Sequence, residues 1–162
     1  MLFRSVVVTC RAAIEGGAFA GSEDERLNLL RQSAALGAEY VDVERFAYPQ
    51  LGPVAPTRVI VSQHDFEHMP GDFRDRWMAI RSLGADVPKV AGMANTPEDL
   101  LPVLDVLKAA DRPTIAMAMG PVGLASRVLA LRYPHSLLTY ASLDDDGGTA
   151  PGQIPLSVME RV

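Results

Sequence analysis

Short apolar runs alternate with longer stretches of helical spacing from one end of the chain to the other, and that alternation constrains the fold more than any single residue does. Ser5–Cys10 (SVVVTC) is a continuous apolar run, as expected of a strand covered on both faces. The spacing predicts a helix over Glu23–Leu36, with Leu27, Leu30 and Ala34 on one side and Gly37 at its C-terminal cap. Strands follow at Tyr40–Val43 and Arg58–Ser62, then a helix at Asp72–Leu83 closed by Gly84, then a strand at Val87–Ala91. Thr96-Pro97-Glu98-Asp99 starts the next helix: a capping hydroxyl, a first-turn proline and two acids at the positive end of the dipole. That helix runs to Ala109 with a bend at Pro102. A strand at Thr114–Ala118, a helix at Val122–Leu131, a strand at Leu137–Ala141 and a short helix within Ile154–Arg161 complete the series. Six strands joined mostly by helices imply an α/β fold with a parallel sheet and a site at the strands' C-terminal ends. One connection breaks the pattern: Phe46–Thr57 carries Pro49, Pro53 and Pro56, which leaves little room for a helical crossover.

At 162 residues the chain has the length of one domain, residues 1–162, without a composition break or an internal repeat. It is 48% hydrophobic and 22% charged, enough apolar material for a packed core and unlike a disordered tail. A net charge of −5 argues against general nucleic-acid binding. The longest uncharged stretch, Pro113–Ser126, is shorter than the roughly 20 residues of a spanning helix and is interrupted at Gly120-Pro121, so no membrane partner is expected. Cys10 stands alone and requires no oxidising compartment, and Met1–Thr9 reads as a strand rather than a leader. A cytoplasmic protein is expected. Asp144–Gly148 (DDDGG) reads as a solvated loop.

Thirteen of the fifteen basic residues are arginine, which makes the two lysines informative. Lys89 sits inside a strand with apolar neighbours on both sides. Burial disfavours an ammonium and produces an amine able to attack a carbonyl; the competing reading is an edge-strand lysine reaching solvent. Lys108, near a helix end, reads as a surface residue. His64 follows a strand and is placed for proton transfer near neutral pH, or else is a structural histidine held by Asp65 or a carbonyl. His68 and His135 fall in loops. Arg11 and Glu15 flank a glycine-containing turn and either share a pocket or form a surface ion pair. Arg127 lies among Leu124, Ala125, Val128 and Leu129 and calls for a carboxylate partner, from the protein or from a ligand. Gly120-Pro121-Val122-Gly123 is only a weak anion signal, and Thr149–Gln153 taken alone is a turn. The three histidines are scattered without metal-ligand spacing and no GxGxxG follows a strand, so neither metal nor cofactor is expected.

Taken together and in order, these pieces resemble type I 3-dehydroquinate dehydratase, the Schiff-base class of the shikimate pathway. The matches are TCRAAIEGG (Thr9–Gly17), GAEYVDVE (Gly37–Glu44), VSQHDF (Val61–Phe66), ADVPKVAGM (Ala85–Met93), MGPVGLASR (Met119–Arg127), LLTYA (Leu137–Ala141) and APGQI (Ala150–Ile154). Each is weak alone; seven in the family's order are specific. The resemblance implies an eight-stranded (β/α) barrel, here an incomplete one of about six strands, a small-molecule substrate and a homodimer. It implies that Lys89 forms the imine with the substrate ketone, that His64 is the general acid and base, and that Glu15 orients His64 and raises its pKa. It further implies that Arg127 holds the substrate carboxylate, while Arg11, Thr149 and Gln153 complete the binding site.

Two departures accompany it. The chain begins at what resembles the family's third strand, so the first two βα units and their Glu-x-Arg pair have no counterpart, and Asp42 and Glu44, which belong to a later motif, do not replace that pair. The proline-rich Phe46–Thr57 connection stands where the family has a helix. A fragment from a misplaced start, a half-barrel completed by a partner, and a degenerate protein acting by association are all compatible with this. Another Schiff-base lyase, such as an aldolase, fits Lys89 but fits the APGQI and SR motifs less well.

Overall fold

A computed structural model describes residues 5–143 and 150–161. Five parallel strands form one sheet in chain order: β1 (Val7–Thr9), β2 (Tyr40–Glu44), β3 (Arg58–Asp65), β4 (Val87–Met93) and β5 (Ile115–Met119). The helices are α1 (Glu23–Ala35), α2 (Tyr48–Leu51), α3 (Phe73–Ser82), α4 (Leu101–Ala109), α5 (Leu124–Leu129) and α6 (Leu156–Met159). Helix α1 starts at a capping box, with the Ser22 hydroxyl accepting from the Glu25 amide and the Glu25 carboxylate accepting from the Ser22 amide. Pro102 falls in the first turn of α4, after a 3-10 turn over Pro97–Leu100, so it marks the helix start instead of bending a longer helix.

Strand periodicity of two separates the faces. Val41, Val43, Val59, Val61, Val90, Ala116 and Ala118 point outward into the main core. There they meet Leu27, Leu30 and Ala34 of α1, Phe73, Trp77 and Ile80 of α3, and Val103, Val106 and Leu107 of α4. The opposite parity lines the concave face: Tyr40, Ile60, Val87, Ala91, Ile115, Met117 and Met119 form a second apolar cluster. Asp42, Glu44, Ser62, His64 and Lys89 share that parity. The polar residues of these strands therefore face one interior.

Three expectations need correction. The Phe46–Thr57 connection does hold a helix, though only the single turn α2, which begins with Pro49 near its N-terminus, where the missing amide proton costs nothing. Strand β3 continues to Asp65, placing His64 on the strand and not after it. The sixth strand, Leu137–Ala141, does not form. Ser136 bridges Thr114 and Ser142 bridges Pro155, and between them the chain leaves the sheet edge so that Leu137, Leu138 and Tyr140 pack on the concave cluster. Full burial of a large apolar side chain stabilises by about 1.5–3 kcal/mol, against about 1 kcal/mol for a ladder hydrogen bond. Leu137, Leu138 and Tyr140 are only partly buried there, but their combined cover of the open concave face competes with the few ladder hydrogen bonds that a short edge strand would add.

Candidate active site

Strand register brings the polar side chains together. Ser62 is the register partner of Glu44 on one side and of Lys89 on the other, and His64 sits one inward position above Ser62. Lys89 is buried, and its Nζ donates to Asp42 Oδ2 at 2.7 Å. Asp42 Oδ1 accepts from Arg11 Nη2 at 3.0 Å and from the Ser62 hydroxyl at 2.6 Å. Burial alone would raise the Asp42 pKa, but the adjacent Lys89 and Arg11 charges outweigh it and hold the carboxyl well below the usual range. The solvent-reaching reading of Lys89 is excluded.

Arg11 is committed inward. Its Nη1 donates to Glu44 Oε1 at 3.0 Å and to Ser62 Oγ at 2.7 Å. Glu44, fully buried, also accepts from the Ala12 amide at 2.8 Å and pairs with Arg26 at 2.7 Å. Arg26, itself buried, donates to the Cys10 carbonyl and to Glu23. Alternating cations and anions therefore tie β1, α1, β2 and β4 together beneath the site. Desolvating such charges is costly, and the geometry recovers that cost only while every partner is present.

Glu15 reaches the site through a tight turn. A 3-10 turn over Ala13–Glu15 brings the Gly17 amide onto the Ala12 carbonyl at 3.0 Å, and a Cβ on Gly17 would lie 1.8 Å from the Arg11 oxygen. One Glu15 oxygen, Oε2, faces both the His64 backbone amide at 3.0 Å and His64 Nδ1 at 2.8 Å. With Nδ1–H donating there, neutral His64 keeps its lone pair on Nε2. Burial, with Lys89 and Arg11 nearby, pushes the His64 pKa well down, opposite to the rise expected from Glu15. Burial pushes Glu15 up to about 7, Arg11 notwithstanding. The expectation failed because it counted the one acid beside His64 and neither the desolvation nor the two cations.

A cavity of about 340 Å³, within the size range of small-molecule sites, opens above this network. Lys89, His64, Arg11, Arg127, Tyr140 and Gln153 line it, and Met117, Met119 and Phe66 supply apolar wall. Arg127 is fully buried. Its Nη2 donates to the Pro151 carbonyl at 3.1 Å and its Nη1 to the Tyr140 carbonyl at 3.4 Å, while Nε has no hydrogen-bond partner. Among the described residues no carboxylate pairs with it, which leaves the ligand-partner reading of the sequence standing. Gln153 is held near by the turn at Gly152, whose φ is 77° and where a Cβ would lie 2.3 Å from the Gly120 oxygen. Thr149 lies outside the described residues.

Sequence reasoning placed Arg11, Glu15, His64, Lys89, Arg127 and Gln153 in one site, and the structure brings these six to one cavity or its immediate border. It missed Asp42, Ser62 and Arg26 as members of the supporting network, and Tyr140 as a cavity residue. Asp42 and Glu44 had a signal: two carboxylates at period two in an otherwise apolar strand must face a polar interior. Among the described residues no cluster of His, Cys, Asp or Glu could hold a metal ion, and no helix is long and apolar enough to cross a membrane.

The family described as type I 3-dehydroquinase matches residues 2–162. A 3-dehydroquinate dehydratase of Dehalococcoides mccartyi is 37% identical over all of this chain and 76% of its own length, and one of Pyrobaculum aerophilum is 37% identical over 93% of this chain and 50% of its own. A type I 3-dehydroquinate dehydratase of Clostridium difficile, solved with covalently modified comenic acid, superposes with a TM-score of 0.82 at 29% identity. The 3-dehydroquinate dehydratase of Geobacillus kaustophilus gives 0.83 at 28%. Each superposition covers 96% of this chain but only 66% and 65% of the respective partner chains. The chain thus spans about two thirds of the length of these solved relatives. The match along nearly the whole sequence, together with the shared fold, shows that this chain belongs to the type I 3-dehydroquinase family.

Proposed function

We propose that this chain is a lyase that dehydrates 3-dehydroquinate to 3-dehydroshikimate through an imine on Lys89. One observation carries the reading: a buried lysine, a Glu-oriented histidine and a buried arginine with no carboxylate partner among the described residues line the same cavity. The Lys89 amine adds to the substrate ketone and water leaves. The protonated imine then draws electron density from the neighbouring carbon more strongly than a ketone does. Nε2 of His64 removes the proton from that carbon, and the resulting imidazolium, facing Glu15, protonates the hydroxyl that departs from the next carbon. Hydrolysis of the imine releases the product and restores Lys89.

Arg127 holds the substrate carboxylate with its planar donors, and Gln153 contacts hydroxyls from the APGQI loop, with Thr149 at the family's serine position beside it in sequence. Arg11 acts mainly by holding Asp42 and Glu44 in place, with its exposed edge toward the substrate. The family resemblance adds a homodimer working in the cytoplasm. The test is direct: purified chain is incubated with 3-dehydroquinate and the conjugated product is followed by its ultraviolet absorption. Steady production that disappears in Lys89→Ala supports the reading; no production by a folded wild-type chain refutes it.

The alternative of a family remnant acting by association draws on one feature, the three-residue edge strand β1, beside which Val6 is 53% exposed. Light scattering that finds only monomer at all concentrations removes it, and the homodimer with it.

A further inference from the structure

We propose that Tyr140, together with Asp42, aims the Lys89 amine at the substrate carbonyl, as a positioning residue; this rests on the dehydratase reading above. Among the described residues Lys89 Nζ has two neighbours that accept hydrogen bonds: Asp42 Oδ2 at 2.7 Å and the Tyr140 hydroxyl oxygen at 3.3 Å. Nζ also lies 4.8 Å from the centroid of the Tyr140 ring. The backbone carbonyl of the same residue accepts from Arg127. Tyr140 therefore touches both groups that would grip the substrate, the amine for its ketone and the guanidinium for its carboxylate.

The geometry matters because a neutral amine has two N–H bonds and one lone pair in tetrahedral directions. With one N–H donated to Asp42 and the other to Tyr140, the lone pair takes the remaining direction, toward the cavity that Lys89 lines. With Asp42 as the only acceptor, the amine turns about its Cε–Nζ bond and the lone pair is divided between two orientations. In the step itself, the nitrogen pair forms the C–N bond while the carbonyl π pair moves to oxygen. Two protons of the starting ammonium leave with that oxygen as water, and the third stays on the protonated imine. Tyr140 neither gains nor loses a proton. Once the imine exists, its single N–H serves Asp42 and its charge lies beside the Tyr140 ring, a contact that phenylalanine retains.

The residue reaches this position because Leu137–Ala141 leaves the sheet edge to cover the concave face. The departure that makes the sixth strand fail thus delivers an aromatic hydroxyl to the nucleophile.

The test measures the rate of borohydride-trapped adduct in rapid-quench experiments with 3-dehydroquinate, for wild type, Tyr140→Phe and Tyr140→Leu. Tyr140→Phe is expected to lower the limiting rate about two- to tenfold, the effect of one hydrogen bond, with the half-saturating substrate concentration unchanged. Tyr140→Leu, which also loses the ring, is expected to be slower still. A Tyr140→Phe protein with the wild-type limiting rate overturns the proposal, as does a slowing fully explained by a smaller folded fraction in circular dichroism. If wild type itself gives no adduct, the dehydratase reading fails and this proposal falls with it. If wild type reacts and Tyr140→Phe matches it, only the positioning role fails.

Discussion

Between Tyr40 and Met93 three strands pair without a break, over five register positions from β2 to β3 and six from β3 to β4. Between Ser136 and Pro155 the described residues make two isolated bridges. The first region carries Asp42, His64 and Lys89, the groups that hold charge and move protons in the proposed mechanism. Around the second are Arg127, Tyr140 and Gln153, which line the same cavity and in the proposed mechanism face the substrate's periphery. Side chains on a ladder are fixed by backbone bonds on both flanks, whereas those on an irregular segment are fixed by a few local contacts. Attack on a carbonyl and proton transfer tolerate little displacement, and gripping a carboxylate tolerates more. The distribution of roles follows that tolerance.

The sharpest way to break the comparison is to remove ladder residues. Lys89→Ala is expected to abolish turnover, by at least about 10⁴-fold, since no other buried amine reaches the cavity. Asp42→Ala strands Lys89 and Arg11 without their shared anion, and urea unfolding is expected to show a loss of about 3–5 kcal/mol. A loss under 1 kcal/mol would mean that the buried network does not hold the strands. His64→Ala is expected to lower turnover about 10²–10⁴-fold while adduct still forms, measured by comparing trapped adduct with product. Loss of adduct with proton transfer intact would misassign the base.

On the irregular side the effects are smaller. Gly152→Ala forces a side chain to within 2.3 Å of the Gly120 oxygen at a φ of 77°, so the loop bearing Gln153 must shift. A cost of about 1–3 kcal/mol is expected, read as a raised half-saturating substrate concentration with the limiting rate of adduct formation preserved. An equal loss in both would put the loop on the same footing as the ladder.

The smallest effect separates Glu15 from both regions. Its carboxyl stays protonated up to about pH 7, and His64 is already neutral there. Rising pH through about 7 therefore adds the anion that faces the imidazolium, and the rate climbs to a plateau on the alkaline side. Glu15→Gln is expected to flatten that rise at a reduced plateau. A rise that persists unchanged in Glu15→Gln would belong to another group.

The same contrast explains what the sequence could tell. In β2 to β5 a period of two assigns strand residues to a face, so Lys89 was legible as a strand residue, with burial and solvent exposure both left open, whereas His64 was read as following its strand. The polar Gln63-His64-Asp65 stretch hid the end of β3 because its outlet is a wet cavity mouth, where strand residues need not be apolar. Leu137–Ala141 misled for the opposite reason. Its apolar residues suit a strand, and only the incompletely closed sheet shows that they pack against the concave face instead. Likewise, the one-turn α2 survives among three prolines because Pro49 occupies a position that needs no amide donor. The pH behaviour of His64 was out of reach, since it depends on Lys89 and Arg11, which are distant in sequence and meet only through the register.

The most direct measurement of the central claim is peptide mapping of the chain after borohydride reduction in the presence of 3-dehydroquinate. A single stable mass increase is expected on the peptide containing Lys89, absent without substrate and absent in Lys89→Ala. An adduct on Lys108, or no adduct on a folded chain that still turns over, would contradict the assignment of the buried β4 lysine as the nucleophile.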